Sequence, residues 1–375
     1  MSKYFCPIPF HHFAIRPDGQ AFPCCYFRHE STPKDFNLSH PDLFNHPYLQ
    51  QIRSKLRNDE PVDGCIKCYE NEKISGSSMR TEYLKATYLG FKDTPPEKPE
   101  LTYIDLALSN VCNNKCRMCG PSLSTNWYTD AKKIGMQIPS GLIKHENNLA
   151  NYDLSKLTYI KLIGGEPLME ETKFIDVLNK CDLSNLVIMI TTNATLRPTE
   201  KLFDLLKKCR KVKWVLSIDS FGKLNDFLRK GSDWEKVKEN IKWYSENFPK
   251  NVNIHSVASI YNINLLDLLP NYVSINFPTV GQKYVPVDGP DWMMPCNLPE
   301  SVKILVIEKL KKSKKPFVNI MIDEINKSGS IDKFIKHDKQ LNHLRSEHWK
   351  DYNPELYDWL KNYLEDNQST SIGGK

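Results

Sequence analysis

No stretch of this 375-residue chain stays apolar for the ~20 residues that a membrane-spanning helix needs. The opening residues Met1-Ser2-Lys3-Tyr4-Phe5-Cys6 lack the basic-then-apolar order of a secretion signal, so a cytoplasmic location is expected and no membrane partner. An excess of one charge is missing too. Fifty-one basic against 45 acidic residues leave a formal charge of +6, which permits an anionic partner without demanding one. The densest basic run, Lys311, Lys312, Lys314 and Lys315, closes a helical pattern. Cations there complement the helix dipole, so it reads as a solvated helix end and nucleic acid is not expected as a partner. No internal repeat is found.

What the chain does have is an ordinary globular balance, 40% hydrophobic and 26% charged residues, with a length that implies two or three structural units. It also has 11 cysteines, eight of them in three groups: Cys6 with Cys24 and Cys25, Cys65 with Cys68, and Cys112 with Cys116 and Cys119. In a reducing compartment disulfides are disfavoured, and clustered cysteines hold metal or do redox chemistry.

Three segments follow one another. Residues 1–95 are rich in Pro, His, aromatics and Cys and end in the proline-rich stretch Asp93-Thr94-Pro95-Pro96-Glu97-Lys98-Pro99, a linker signal. Residues 96–295 carry short β-rich runs at 102–108, 159–163, 186–191, 212–218 and 252–259, with helical patterns between them at 172–180, 199–208 and 234–246. Such alternation predicts an α/β fold with parallel strands. Five or six units suit a partial barrel, in which function gathers at the C-terminal ends of the strands. Residues 296–375 are helical in pattern and end in a polar tail over 367–371.

The first of these strands runs into Cys112-Asn113-Asn114-Lys115-Cys116-Arg117-Met118-Cys119, a C-x3-C-x2-C spacing. A [4Fe–4S] cluster usually takes four thiolates; three on one loop leave one iron open to a ligand. Zinc prefers a closed set of four and fits less well. This loop resembles the signature of the radical SAM superfamily, and the resemblance extends over about residues 101–290. Gly164-Gly165-Glu166-Pro167, after the second strand, is similar to the family's GGE motif, whose backbone meets the methionine end of S-adenosylmethionine. Asn193, after the third, resembles the ribose-side position, and Ser217, in Ser217-Ile218-Asp219-Ser220, the segment that contacts ribose or the methionine carboxylate. Arg229 resembles the arginine that pairs with that carboxylate, for which a guanidinium fork is well suited. Met118 stands where the family often has an aromatic residue near adenine; being soft and apolar it fills the same space.

Ahead of the barrel, Cys6, Gly19 and Cys24 are spaced C-x12-G-x4-C, and Cys65 and Cys68 follow as C-x2-C. Arg16-Pro17-Asp18-Gly19-Gln20 carries hairpin-turn chemistry that would bring Cys6 near Cys24. The pattern resembles the auxiliary-cluster modules called SPASM and twitch, here placed N-terminally in a twitch-like module. The resemblance implies a second Fe–S cluster, [4Fe–4S] in type, on Cys6, Cys24, Cys65 and Cys68. Cys25 remains an alternative to Cys24, and a four-cysteine zinc ribbon uses the same residues.

The fold this resemblance implies is a partial (β/α)6 TIM-like barrel with a twitch-like N-terminal module and a C-terminal helical segment. The activity it implies is reductive cleavage of S-adenosylmethionine to a 5′-deoxyadenosyl radical that takes hydrogen from a substrate carbon, in an oxidoreductase of maturase type. A one-electron donor such as flavodoxin or ferredoxin is the implied partner. Oxidative modification of a peptide or protein is the first expectation. A small metabolite, sugar or nucleobase is the alternative substrate, and a non-enzymatic zinc or nucleic-acid-binding protein the alternative of another class. Asp219 is a candidate base, although an acidic residue after a strand serves ribose binding equally well. Cys181, Cys209 and Cys296 read as buried small residues, His11 and His12 as structural, and Trp349, Tyr352, Tyr357 and Trp359 as packing anchors.

Overall fold

The β-rich runs become strands because Ile, Val, Leu and Tyr pack well on a pleated surface. The computed structural model describes residues 2–86, 89–140, 149 and 152–366; the polar tail over 367–371 lies outside them. Its strands are β1 (His12–Ile15), β2 (Ala21–Phe22), β3 (Tyr103–Ala107), β4 (Tyr159–Ile163), β5 (Val187–Thr192), β6 (Lys211–Ser217), β7 (Val252–Ala258) and β8 (Gly281–Pro286). The helices of the N-terminal and central segments are α1 (Pro47–Arg57), α2 (Ile66–Ser75), α3 (Met79–Leu84), α4 (Tyr128–Ile134), α5 (Glu171–Leu178), α6 (Glu200–Lys208), α7 (Gly222–Leu228), α8 (Trp234–Asn247) and α9 (Leu268–Asn276). The C-terminal segment adds α10 (Glu300–Lys311), α11 (Val318–Ile325), α12 (Ile331–Arg345) and α13 (Pro354–Asp366). The fold is α/β, and β3 to β8 are the six strands of the expected βα units. β8 escaped the sequence reading because Gly281-Gln282-Lys283-Tyr284-Val285-Pro286 buries only Tyr284 and shows no alternation.

Residue contacts divide the chain into two compact units. The first comprises Met1–Cys112, Pro139–Thr191 and Pro198–Lys213, the second Asn113–Ile138, Thr192–Arg197 and Trp214–Lys375.

In the first unit the strand order is β2-β1-β3-β4-β5. The hairpin anticipated at Arg16–Gln20 is present: Gly19 N–H donates to Arg16 O at 2.9 Å, with Gly19 at φ 82°, a conformation glycine adopts freely. β1 then does something the sequence did not announce. It pairs parallel with β3, His12 opposite Tyr103 and Ile15 opposite Leu106, so the N-terminal hairpin extends the sheet. Phe5, Cys6, Ile8, Phe10, Phe27, Ile52, Leu56 and Val62 share one apolar cluster with Tyr103, Tyr159 and Val187 of β3, β4 and β5.

In the second unit β6, β7 and β8 are parallel, with Trp214 opposite Val252 and Asn253 opposite Gly281. Of the aromatic residues read as packing anchors, Trp349, Tyr352 and Tyr357 pack on other rings. Trp349 is buried with its ring 6.1 Å from Tyr261 and 5.1 Å from Tyr357, and Tyr352 stacks on Phe227 at 4.4 Å. Among the described residues no helix is long and apolar enough to cross a membrane.

Candidate functional site

The peptide between Cys112 and Asn113 is where the chain leaves the first unit, so the three-cysteine loop is described from each side. On the first side, the segment after β3 is gripped by the glycine pair after β4. Gly165 N–H donates to Ser109 O at 3.1 Å and Glu166 N–H to Val111 O at 2.7 Å. A Cβ on Gly165 would stand 2.2 Å from Val111 O, and one on Gly164, at φ 97°, 2.8 Å from the Ala107 Cβ. These glycines therefore serve a close approach of the chain to itself just ahead of Cys112. The Glu166 side chain is buried and accepts from Leu168 N–H at 3.2 Å, capping the short helical turn that follows.

On the second side, Cys116 is buried while Cys119 is partly exposed, as is Cys112 before it. The loop backbone is tied on both flanks of Cys116. Lys115 N–H donates to Lys230 O at 2.7 Å and Arg117 N–H to Leu228 O at 2.8 Å. The Trp127 indole donates to the Cys116 carbonyl at 2.9 Å. These bonds bracket Arg229, whose terminal nitrogen lies 4.0 Å from the Cys116 sulfur and whose Nε lies 2.8 Å from Asp219 Oδ2. The other oxygen of Asp219 accepts from Val257 N–H at 2.8 Å. Asp219 is buried and forms an ion pair with Arg229. Burial pushes the Cys116 thiol up, against the pull of the Arg229 guanidinium.

Asn193, just after β5, donates to Asn113 Oδ1 at 2.8 Å, and Asn113 Nδ2 donates to Thr195 Oγ1 at 2.8 Å. Asn113 and Thr195 went unnoticed in the sequence, although Asn113 lies inside the cysteine motif. Ser217 ends β6 half-buried, in register with His255 of β7, and Met118 is half-buried between Arg117 and Cys119.

The N-terminal thiols lie wholly in the first unit. Cys65 caps α2 and Cys68 follows one turn on, so the two share a helix face. Cys6 interacts electrostatically with Cys65 and Cys68, and Cys24 with Cys25, Cys65 and Cys6. Burial pushes the Cys6, Cys24 and Cys65 thiols upward, Cys65 to about 12, and the neighbouring thiols add to it. Burial and then Asp105 push the Cys25 thiol up to about 11, against the pull of Lys161. The thiols of Cys6, Cys24, Cys65 and Cys68 thus act on one another, and Cys25 acts on Cys24 as well as on Asp105.

Among the described residues no three His, Cys, Asp or Glu side chains close around a point as a single metal ion requires. A tetrahedral zinc site brings four sulfurs to one ion at about 2.3 Å. A cubane instead spreads its thiolates over different irons, and thiolate donors are the chemistry such a cluster takes.

Residues 106–264 match the Radical SAM superfamily, and residues 6–69 match SPASM, an iron–sulfur cluster-binding domain. No curated protein matches the chain. Among solved structures, native anSMEcpe with bound AdoMet is similar at 16% identity and a TM-score of 0.39, over 66% of this chain and 62% of that one. Streptococcus suis SuiB bound to S-adenosylmethionine is similar at 15% identity and a TM-score of 0.38, over 80% and 66%. SuiB bound to its precursor peptide SuiA is similar at 16% identity and a TM-score of 0.35, over 68% and 56%. The chain spans 62% of the length of the anSMEcpe chain, and likenesses this slight decide nothing about substrate.

Proposed function

We propose that this member of the radical SAM superfamily, with its SPASM-type domain ahead of the barrel, cleaves S-adenosylmethionine reductively and uses the product to oxidise a peptide or protein substrate. Cys112, Cys116 and Cys119 would hold a [4Fe–4S] cluster with one iron free for the cofactor, and Cys6, Cys24, Cys65 and Cys68 a second cluster. Bound together, the first cluster and S-adenosylmethionine supply a 5′-deoxyadenosyl radical able to take hydrogen from an unactivated carbon.

The observation that carries this reading is the Asp219–Arg229–Cys116 arrangement. Asp219 fixes one edge of the guanidinium through Nε at 2.8 Å. The opposite edge, beside the Cys116 sulfur, is then aimed where a carboxylate bound next to the cluster would lie, and a forked donor holds a carboxylate in one orientation. The Asn113–Asn193–Thr195 chain offers neutral polar contacts of the kind ribose hydroxyls use. Met118 offers apolar surface beside the third cysteine.

The organisation proposed is a cluster module over residues 1–95, a partial barrel over 96–295 and a helical extension over 296–375, in a cytoplasmic protein served by flavodoxin or ferredoxin. A four-thiol second cluster has no iron to spare for substrate, so its task is to accept the electron that a substrate radical gives up. That makes the overall reaction an oxidation, as in an oxidoreductase of maturase type.

The test is anaerobic reconstitution with iron and sulfide, reduction by dithionite, and assay of 5′-deoxyadenosine. Wild-type protein is expected to form it, Cys116→Ala to form none, and Cys65→Ala to retain part of the uncoupled cleavage. Equal formation by Cys116→Ala would remove the reading.

A further inference from the structure

The C-terminal helices lie outside the residues matched to either domain, yet one of them reaches into the cysteine motif. Arg117, between the second and third cysteines, is fully buried. Its guanidinium donates to Asn342 Oδ1 at 2.7 Å and Glu347 Oε2 at 2.9 Å, lies 3.7 Å from Asp338, and covers the Phe227 ring at 3.8 Å. Asn342 and Asp338 belong to α12. Glu347 follows it, past Ser346 at φ 51°, where the chain folds back and Glu347 N–H bonds Asn342 O at 3.0 Å.

Glu347 has a second grip. Its other oxygen, Oε1, holds the Lys230 ammonium at 2.8 Å. One buried carboxylate therefore bridges the residue after Cys116 to the residue after Arg229. The same two segments are already joined through Lys115 N–H to Lys230 O and Arg117 N–H to Leu228 O. Gly231 closes the contact; a Cβ there would stand 2.7 Å from Asn113 O. Nearby, Arg345 of α12 pairs with Asp130 at 2.9 Å, and Asp130 with Lys115 at 2.8 Å. A buried arginine with carboxylate partners is a costly way to stabilise a core. Ion pairs and hydrogen bonds that hold the loop from several directions favour one arrangement of the groups they touch.

We infer that Glu347 is a positioning residue: through Arg117 and Lys230 it sets Arg229 against the Cys116 sulfur, so the C-terminal segment governs cofactor affinity and the environment of the first cluster without touching either. The inference rests on the reading that Cys112, Cys116 and Cys119 hold that cluster.

The test uses the full chain, reconstituted anaerobically, as wild type, Glu347→Gln and Lys230→Ala, with Glu324→Gln as control because its pairing with exposed Lys327 lies apart from the network. Glu347→Gln keeps the iron content but binds S-adenosylmethionine about tenfold more weakly, the scale of one charge-assisted hydrogen bond. Its reduced cluster gives an altered electron paramagnetic resonance spectrum, which a mere loss of folded protein would not produce. Lys230→Ala moves both readouts the same way, and the double variant moves them less than the sum. In the iron-free chain, Glu347→Gln speeds alkylation of Cys116 and leaves that of Cys68 unchanged. Should Glu347→Gln fail to fold, Lys230→Ala, at a half-exposed side chain, decides the matter alone. Wild-type affinity and spectrum in variants that hold full iron overturn the inference. If the wild-type chain takes up no iron at the triad, the underlying reading falls first.

Discussion

Asp105 shows how much a single side chain carries in the first unit. It is fully buried on β3, 3.6 Å from His12 Nε2 and 3.6 Å from Lys161 Nζ. Burial alone would raise its carboxyl, but the Lys161 ammonium, with His12 and Tyr103, outweighs burial and holds it at about 2. A folded value below the unfolded one means that stability is present above the unfolded pKa and lost as pH falls through the folded one. Asp105→Asn is therefore expected to cost on the order of 2 kcal/mol from pH 5 to 7. The gap to wild type should close between about pH 4 and pH 2; urea midpoints across that range check it. Nothing in the sequence marked Asp105 beyond its place in an apolar run, because its partners come from β1 and β4. The cysteines could be singled out from their spacing, and the glycine pair and Arg229 from their resemblance to family motifs. Asp219 could be marked as a candidate base, but its ion pair with Arg229 and its bond from Val257 N–H were hidden, because those partners come from other elements.

Elements with strong periodicity were read close to their true bounds. The pattern over 234–246 is α8 (Trp234–Asn247), and that over 199–208 is α6 behind its cap Thr199. Thr199 Oγ1 accepts from Leu202 N–H at 3.4 Å and donates to Glu171 of α5 at 2.6 Å, so it starts one helix and ties it to another. Thr199→Ala is expected to lower stability by about 1 kcal/mol, read as a fall in the urea midpoint with the slope unchanged. What periodicity could not show was β1. Four residues, His12-Phe13-Ala14-Ile15, are all buried, so they present no alternation, and only their pairing with β3 declares them a strand. The bridge through Glu347 was hidden for a similar reason. Some 230 residues separate it from Arg117, and no local spacing links them.

For the molecule as a whole, each unit is assembled from three separate stretches of chain. The sequence suggests beads in a row; the contacts give interleaved pieces. A fragment ending at residue 95 would keep Phe5, Ile8, Phe10 and Phe27 but lose Tyr103, Tyr159 and Val187 from the same apolar cluster. It would also lose the β3 edge on which β1 pairs. Such a fragment is expected to show no cooperative unfolding transition by circular dichroism, whereas the full chain shows one; a sharp transition in the fragment would contradict this.

The shared cluster of Phe5, Phe10 and Tyr103 also bears on ancestry. A module that keeps its own core can be shuffled between proteins like a cassette. A segment that finishes its core on β3, β4 and β5 depends on them, and a substitution at Tyr103 or Val187 is expected to disturb the packing of Phe10 or Ile8. Trading this N-terminal segment for one from a related barrel should fail unless those strand residues travel with it.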